Sequence, residues 1–233
     1  MRKFLIGIIL TAAMCSAGPA QAKKTSARIP AKPAASPVTT PAVPAGSVSG
    51  HTYTNRGLGF EITFPDIWLI AGSDFIAYMK SKGVDITPKP PKASNPASQK
   101  KIDADFRRLK ILLTVYRSLP GTAKNAVARI AAESVSGLNT NRPVKDAVDY
   151  VDLMRSQMNL VKMPAGFKYS ETDAEQLGPN QFAYLDSSQG EVKTRVYVTV
   201  RKKFAILFSL EYAADEDLEV FRDLLARAKF SNK

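Results

Sequence analysis

Cysteine and histidine are nearly missing: Cys15 and His51 are the only ones in 233 residues. A lone histidine with no cysteine near it cannot build a zinc-type site. Any serine–histidine–carboxylate triad would have to use His51. No Gly-x-Ser-x-Gly elbow accompanies it, because Ser134-Val135-Ser136-Gly137 lacks the first glycine. No Walker loop is present either. Gly57-Leu58-Gly59 leads into a strand pattern and so is no dinucleotide fingerprint. Asp146, Asp149 and Asp152 rotate around one helical pattern, and no calcium loop is visible. These absences point away from an enzyme and imply no cofactor and no metal. Ser98-Gln99-Lys100-Lys101 formally matches Ser-x-x-Lys, whose lysine must be partly buried to lose its proton, but it follows a proline-rich loop in a basic stretch and the companion motifs of penicillin-interacting enzymes are absent.

The chain starts Met1-Arg2-Lys3 and runs apolar from Phe4 to Cys15. That core is too short to span a bilayer, which takes about 20 residues. Ala20-Gln21-Ala22 has the small-x-small form read by a signal peptidase. The expectation is a leader over 1–22, cleaved between Ala22 and Lys23, and a protein exported to the periplasm or beyond. The mature chain then has no cysteine and no membrane-spanning helix. A lipoprotein reading would modify Cys15, but that signal wants a small residue before the cysteine, and Met14 is not small. Residues 23–48 are rich in alanine and proline and lack aromatics, with Pro30, Pro33, Pro37, Pro41 and Pro44 spaced along them. Such a stretch buries too little to offset its ordering entropy and reads as a semi-extended tether.

Residues 49–233 suffice for one domain that buries about 70% of its unfolded surface. Strand patterns cover 59–64, 66–70, 109–118 and 126–135, then 167–172, 181–188, 192–201 and 204–212 in quick succession. Ile111, Leu113 and Val115 fall on one face of their strand, and Leu112, Thr114 and Tyr116 on the other. Ser73 is a candidate cap for a short helix bearing Phe75, Tyr78 and Met79, and a second short helix fits 99–108. Residues 83–98 carry four prolines and read as a loop. Val144, Ala147, Val148, Val151, Met154, Met158 and Val161 make an apolar stripe over 143–162, with Pro143 in its first turn. Acidic residues open a last helix after Asp215, and Arg227 and Lys229 close it. Short connections imply antiparallel pairing. The expected class is α+β: an αβα sandwich with a mainly antiparallel, twisted sheet and helices on both faces. Trp68 reads as a core anchor, and Met154 and Met158 as core.

The formal charge is +12. The candidate partner surface is the basic stretch Lys80, Lys82, Lys89, Lys92, Lys100, Lys101, Arg107, Arg108 and Lys110, against Asp85, Asp103 and Asp105. Cations in that number favour another protein or an anionic envelope component. Nucleic acid fits poorly with export, and no aromatic-studded basic strand is present.

Tyr53-Thr54-Asn55-Arg56-Gly57-Leu58-Gly59-Phe60-Glu61-Ile62-Thr63-Phe64-Pro65-Asp66-Ile67-Trp68 resembles the opening of PsbP-like domains, with an aromatic-x-Asn stretch, a Gly-Phe alternation and Pro-x-x-Trp. The strand pair and acid-started helix at 193–230 are similar in order and spacing. The resemblance implies an αβα sandwich and a non-enzymatic accessory or binding role. It covers extrinsic photosynthetic proteins, a nuclear import factor that binds the small GTPase Ran, and exported bacterial proteins. No functional residue carries over, since the histidines of the photosynthetic members have no counterpart here. Two alternatives stand beside it. One is a carrier of a small apolar ligand, lined by Tyr116, Tyr197 and Tyr212. The other is a weak hydrolase with an unrecognised site. Amino-terminal sequencing of protein exported from a secreting host should begin at Lys23; a retained Met1 in that fraction sinks the leader reading.

Overall fold

Residues 204–212 set the layering. In strand β11 (Phe204–Tyr212), Phe204, Ile206, Phe208 and Leu210 point into one apolar cluster, and Ala205 and Leu207 into another. A strand with apolar side chains on both faces needs a cover on each side. The computed structural model describes residues 41–136, 138 and 143–231. The expected leader, the cleavage point between Ala22 and Lys23, and the tether up to residue 40 lie outside these.

The large sheet has eight strands. They are β4 (Leu69–Ile70), β5 (Lys110–Tyr116), β6 (Val127–Ser134), β7 (Phe167–Tyr169), β8 (Asp173–Leu177), β9 (Asn180–Gln189), β10 (Val192–Arg201) and β11, in spatial order β4-β5-β6-β11-β10-β9-β7, with β8 also pairing β9. Every pairing is antiparallel. The expected strands at 167–212 are thus neighbours in one layer.

A second sheet, absent from the sequence expectation, holds β1 (Ser47–Ser49), β2 (Thr52–Asn55), β3 (Phe60–Thr63) and β12 (Lys229–Phe230). With helix α4 (Asp215–Arg227) it covers one face of the large sheet. Four phenylalanines join the layers. Phe208 lies 5.4 Å from Phe60 and 6.1 Å from Phe230, ring centre to ring centre, and 6.0 Å from Phe182 of its own sheet. The opposite face is covered by α2 (Pro96–Arg108) and α3 (Ala147–Met158), through Ile102, Tyr150, Val151, Met154 and Met158. Helix α1 (Ser73–Ser81) covers the same face further along, where Met79 and Ile86 meet Tyr116 and Val127. The α+β class and the helices on both faces hold; the single sheet becomes two.

Several expected boundaries move, each for a local reason. Gly72, not Ser73, caps α1, with no side-chain bond. Helix α2 starts at Pro96, because Asn95 accepts from the Ser98 N–H at 2.8 Å and proline suits the first helical position. Helix α3 starts at Ala147, because the Asp146 carboxylate accepts from the Asp149 N–H at 2.9 Å and so ends the extended chain; Pro143 stays outside. Val148 consequently faces solvent, and Tyr150 and Gln157 are buried instead. A register shift between Ile111 and Leu113 breaks the alternation of β5. Ile111 therefore joins the α2–α3 side, while Leu112 and Leu113 both join the other. The paired chain begins at Ser47, ahead of the expected boundary at 49, and Val43 already packs on the core. Gly178 (φ +57) opens the β8–β9 turn beside the end of α4, where a Cβ would sit 2.3 Å from the Ala226 carbonyl oxygen. Phe208→Ala should cost about 3–5 kcal/mol, from lost transfer energy and a cavity between the sheets. Urea unfolding followed through Trp68 would measure it, and a loss below about 1 kcal/mol would contradict this packing.

Candidate functional site

The nine basic residues singled out in the sequence do not make one patch. Lys80 and Lys82 end α1, and the Lys82 ammonium lies 5.5 Å from the Tyr78 ring centre. Lys89 pairs with Asp85 at 2.5 Å, and that lysine with the Thr87 N–H holds the Asp85 carboxyl well below the usual range. Lys92 is exposed in the loop before α2. Lys100 and Arg107, two turns apart, share the exposed side of α2, with Lys101 half-buried beside them. Arg108 turns inward, 3.4 Å from Asp105 and 3.7 Å from Glu133. The Lys110 ammonium opens β5 and donates to the Val43 carbonyl at 3.3 Å.

Around Lys110 the fold gathers cations that the sequence keeps far apart. The β10–β11 hairpin turns on Lys202 and Lys203 alone, with Arg201 paired to Phe204. Both lysines have left-handed backbone, φ 49° and 66°, as a two-residue hairpin of this twist requires. Such turns usually carry Asn-Gly, and a side chain there costs about 1–2 kcal/mol per residue. The Lys203 carbonyl accepts from the Val135 N–H at 2.9 Å, which sets the turn beside the end of β6. The Lys202 ammonium donates to the Gly57 carbonyl at 3.4 Å, next to Arg56. Gly59 (φ +75) leaves the space for it, since a Cβ there would stand 3.3 Å from Lys202 Nζ and 2.8 Å from Ser231 Oγ. Pro44 packs on Gly57 and accepts from the Asn55 amide at 3.1 Å, which brings the chain back to Val43 and Lys110. Arg56, Lys110, Lys202 and Lys203 are all exposed, and among the described residues none of them is in an ion pair. Sequence reasoning found only Lys110 of the four; a charged pair at a hairpin turn was the available signal for two more.

A cleft of about 430 Å³ opens in this end, lined by Val43, Arg108, Lys110, Glu133, Ser134 and Leu138 among others. Its cause is a strand mismatch. The last β5–β6 pair is Lys110 with Ala132, and the chain then bends away at Leu109 into α2. Glu133 and Ser134 extend past β5, and the wedge beside them is the cleft. Beneath it, Glu133 is 2% exposed. Tyr150 donates to Glu133 Oε1 at 2.6 Å. Burial raises the Glu133 pKa to about 7 against the pull of Tyr150 and Arg108, and Asp105 adds to the rise. Tyr150, wholly buried beside that carboxylate, is itself pushed well above its usual value.

The other candidate residues are used by the fold. Ser98 Oγ accepts from the Lys162 N–H at 3.0 Å. His51 is half-buried in the β1–β2 turn, and its carbonyl accepts from the Phe64 N–H at 2.9 Å. Trp68 is buried against Phe64. Tyr116 sits in the α1 cluster and donates to the Ile86 carbonyl, whereas Tyr197 and Tyr212 belong to the α4 side, so the three tyrosines line no common cavity. Tyr197 instead donates to Glu175 at 2.6 Å and accepts from Arg195, whose guanidinium clasps Asp186 with two bonds of 2.7 and 2.6 Å. Arg222 of α4 pairs with the same Glu175, which staples α4 and β8 to the sheet. Among the described residues no group of three or more His, Cys, Asp or Glu side chains is placed to hold a metal ion, and no helix is long and apolar enough to cross a membrane.

The raised Glu133 pKa has a consequence for stability. The neutral carboxyl is the form the fold favours, so this group supports folding fully below its ordinary pKa of 4.5. That support is lost as pH rises from 4.5 through about 7. The loss is on the order of 3 kcal/mol. Urea titrations of wild type and Glu133→Gln between pH 4.5 and 8 should show the decline in wild type and a flatter profile in the variant; parallel profiles would contradict it.

No protein-family model matches the sequence, and no curated protein sequence matches it. Among solved structures, the solution structure of cyanobacterial PsbP (CyanoP) from Synechocystis sp. PCC 6803 is similar at 12% identity and a TM-score of 0.43, covering 84% of this chain and 100% of that one.

Proposed function

We propose that this chain is an exported, non-enzymatic accessory protein that binds an acidic partner protein through the basic end of its sheets. The observation that carries the reading is the gathering of Arg56, Lys110, Lys202 and Lys203, from three separate stretches, with none of them in an ion pair among the described residues. Some cations elsewhere are neutralised, Lys89 by Asp85, Lys193 by Asp215, Lys229 by Glu61 and Arg222 by Glu219, while Lys80, Lys82, Lys92, Lys100 and Arg107 stand in no ion pair among the described residues, along α1, α2 and the loop between them. Unpaired charge held together on one end steers an opposite charge toward it. The concave cleft beside Lys110 favours a protruding acidic chain over a flat lipid surface. The sequence features of a leader and a tether support export, and the tether adds Lys23, Lys24, Arg28 and Lys32 just ahead of Pro41. The structural uses of Ser98 and His51 support a role without bond-breaking chemistry.

Fluorescence anisotropy with a labelled, capped hexaglutamate peptide tests this at low salt. The triple variant Lys110→Glu, Lys202→Glu, Lys203→Glu should weaken binding about tenfold or more, and added salt should weaken the wild type in the same way. Lys80→Glu with Lys82→Glu, at the far helix, should change affinity less than about twofold. Binding to anionic phospholipid vesicles with none to the peptide would replace the acidic protein by a membrane surface.

A further inference from the structure

We infer that the cleft beside Lys110 and Ser134 seats one acidic side chain of that partner, and that Glu133 in its wall must take up a proton for the seat to stay filled. The inference rests on the acidic-partner reading and adds a pocket and a control to it.

Shape comes first. The wedge left where β5 parts from β6 holds about 430 Å³. That lies in the range of ligand pockets, roughly 300–1,000 Å³. It takes a side chain and its flanking backbone, not a folded surface. Val43 and Leu138 supply an apolar wall for methylene groups, and Ser136 lines the cleft beside Ser134, whose hydroxyl is bonded to the Ser136 backbone. The Lys110 ammonium sits exposed at the rim, with one bond to the Val43 carbonyl and further protons to give.

Charge then decides when the seat is open to an anion. The groups facing Glu133 come from each element packed around it: Tyr150 of α3, Arg108 and Asp105 of α2, and Lys110 of β5 in the same cleft. With Glu133 ionised, the charges of Arg108 and Lys110 are cancelled by those of Asp105 and Glu133. With Glu133 protonated, the cleft carries one net positive charge. An incoming carboxylate therefore meets a neutral, partly repulsive wall in the first state and an attractive one in the second. Arg108 is held by Asp105 in both states, so the change in charge at Glu133 is felt in the cleft as well as by the fold. Burial places the changeover near neutral pH.

The sign follows from linkage. A seated carboxylate favours the proton on Glu133, so binding takes up protons and affinity rises as pH falls through about 7, by at most about tenfold per pH unit for one proton. The test is calorimetric titration of the same capped hexaglutamate between pH 6 and 8, in two buffers of different ionisation enthalpy; the peptide stays largely ionised over this range. Wild type should bind about fivefold to tenfold tighter at pH 6 than at pH 8, with proton uptake on binding. Glu133→Gln should bind equally at both pH values, near the tight limit. Tyr150→Phe removes a bond that favours the ionised carboxylate and should move the midpoint to higher pH; a group that only stabilised the fold would leave the midpoint alone. Ser136→Trp fills the cleft and should abolish the pH dependence while leaving the residual attraction of the basic end. Thermal unfolding of each variant at both pH values checks that it is folded. Wild-type affinity that is flat with pH, or a Glu133→Gln variant with unchanged pH dependence, overturns the inference while the acidic-partner reading stands. No binding of the peptide at either pH overturns both.

Discussion

Strands β6, β10 and β11 have side chains to bury on both faces, and the rest of the architecture answers that demand. Neither cover can be made from one stretch of chain. The amino-terminal strands β1–β3 reach the α4 side first, and the carboxy-terminal β12 returns to pair Lys229 and Phe230 with Glu61 and Phe60. Phe60, Phe182, Phe208 and Phe230 interlock across the gap, with Phe208 edge-on to the other three. The two ends of the described chain are thereby drawn toward one face. Since Val43 and Pro44 lead in and Ser231 leads out beside Gly59, both ends lie close to the basic end.

The same demand explains why a carboxylate is buried at Glu133. Strand β6 is lined by alanines where it must fit between β5 and β11, and its alternate positions Val127, Arg129, Ala131 and Glu133 face the helices. Arg129 answers Glu211 across the strand pair at 3.7 Å. Glu133 lies at the end of the row, where α2 and α3 meet the sheet, and it depends on Tyr150, Arg108 and the solvent-facing cleft. A buried carboxylate with one good hydrogen bond and a longer ion pair is poised between its two protonation states, whereas a fully paired one would stay charged. The mismatch between β5 and β6 thus produces both the cleft and the group that responds to pH beside it.

Legibility from sequence followed burial and length. Strands β10 and β11 carried strong alternation, and α4 carried charges matched to its dipole, so they were readable. Strand β8 reads Asp-Ala-Glu-Gln-Leu and shows no apolar alternation; it exists because β9 offers an edge and Glu175 finds Tyr197 and Arg222. Strands β1 and β12 are too short for any periodicity and form only when a neighbour is in place. Pro96 reads as part of a loop from proline content alone, yet the Asn95 side chain caps the helix that Pro96 begins. The stripe over 143–162 was real in its centre, but Val148 lies on the exposed side because Tyr150, not Val148, reaches Glu133.

By itself, the sequence determined the α+β class, the antiparallel run at 167–212, the helices flanking it and an excess of positive charge, because burial periodicity and net charge are local or additive properties. Only the tertiary structure decided that there are two sheets, that Arg108 turns inward, that Arg56, Lys202 and Lys203 come to the same end of the sheets as Lys110, and that Lys110 borders a cleft walled by Glu133. Those facts depend on which distant segments the hydrophobic layers bring side by side. A carboxylate's depth, and hence its hold on a proton, exists only once the layers have closed over it.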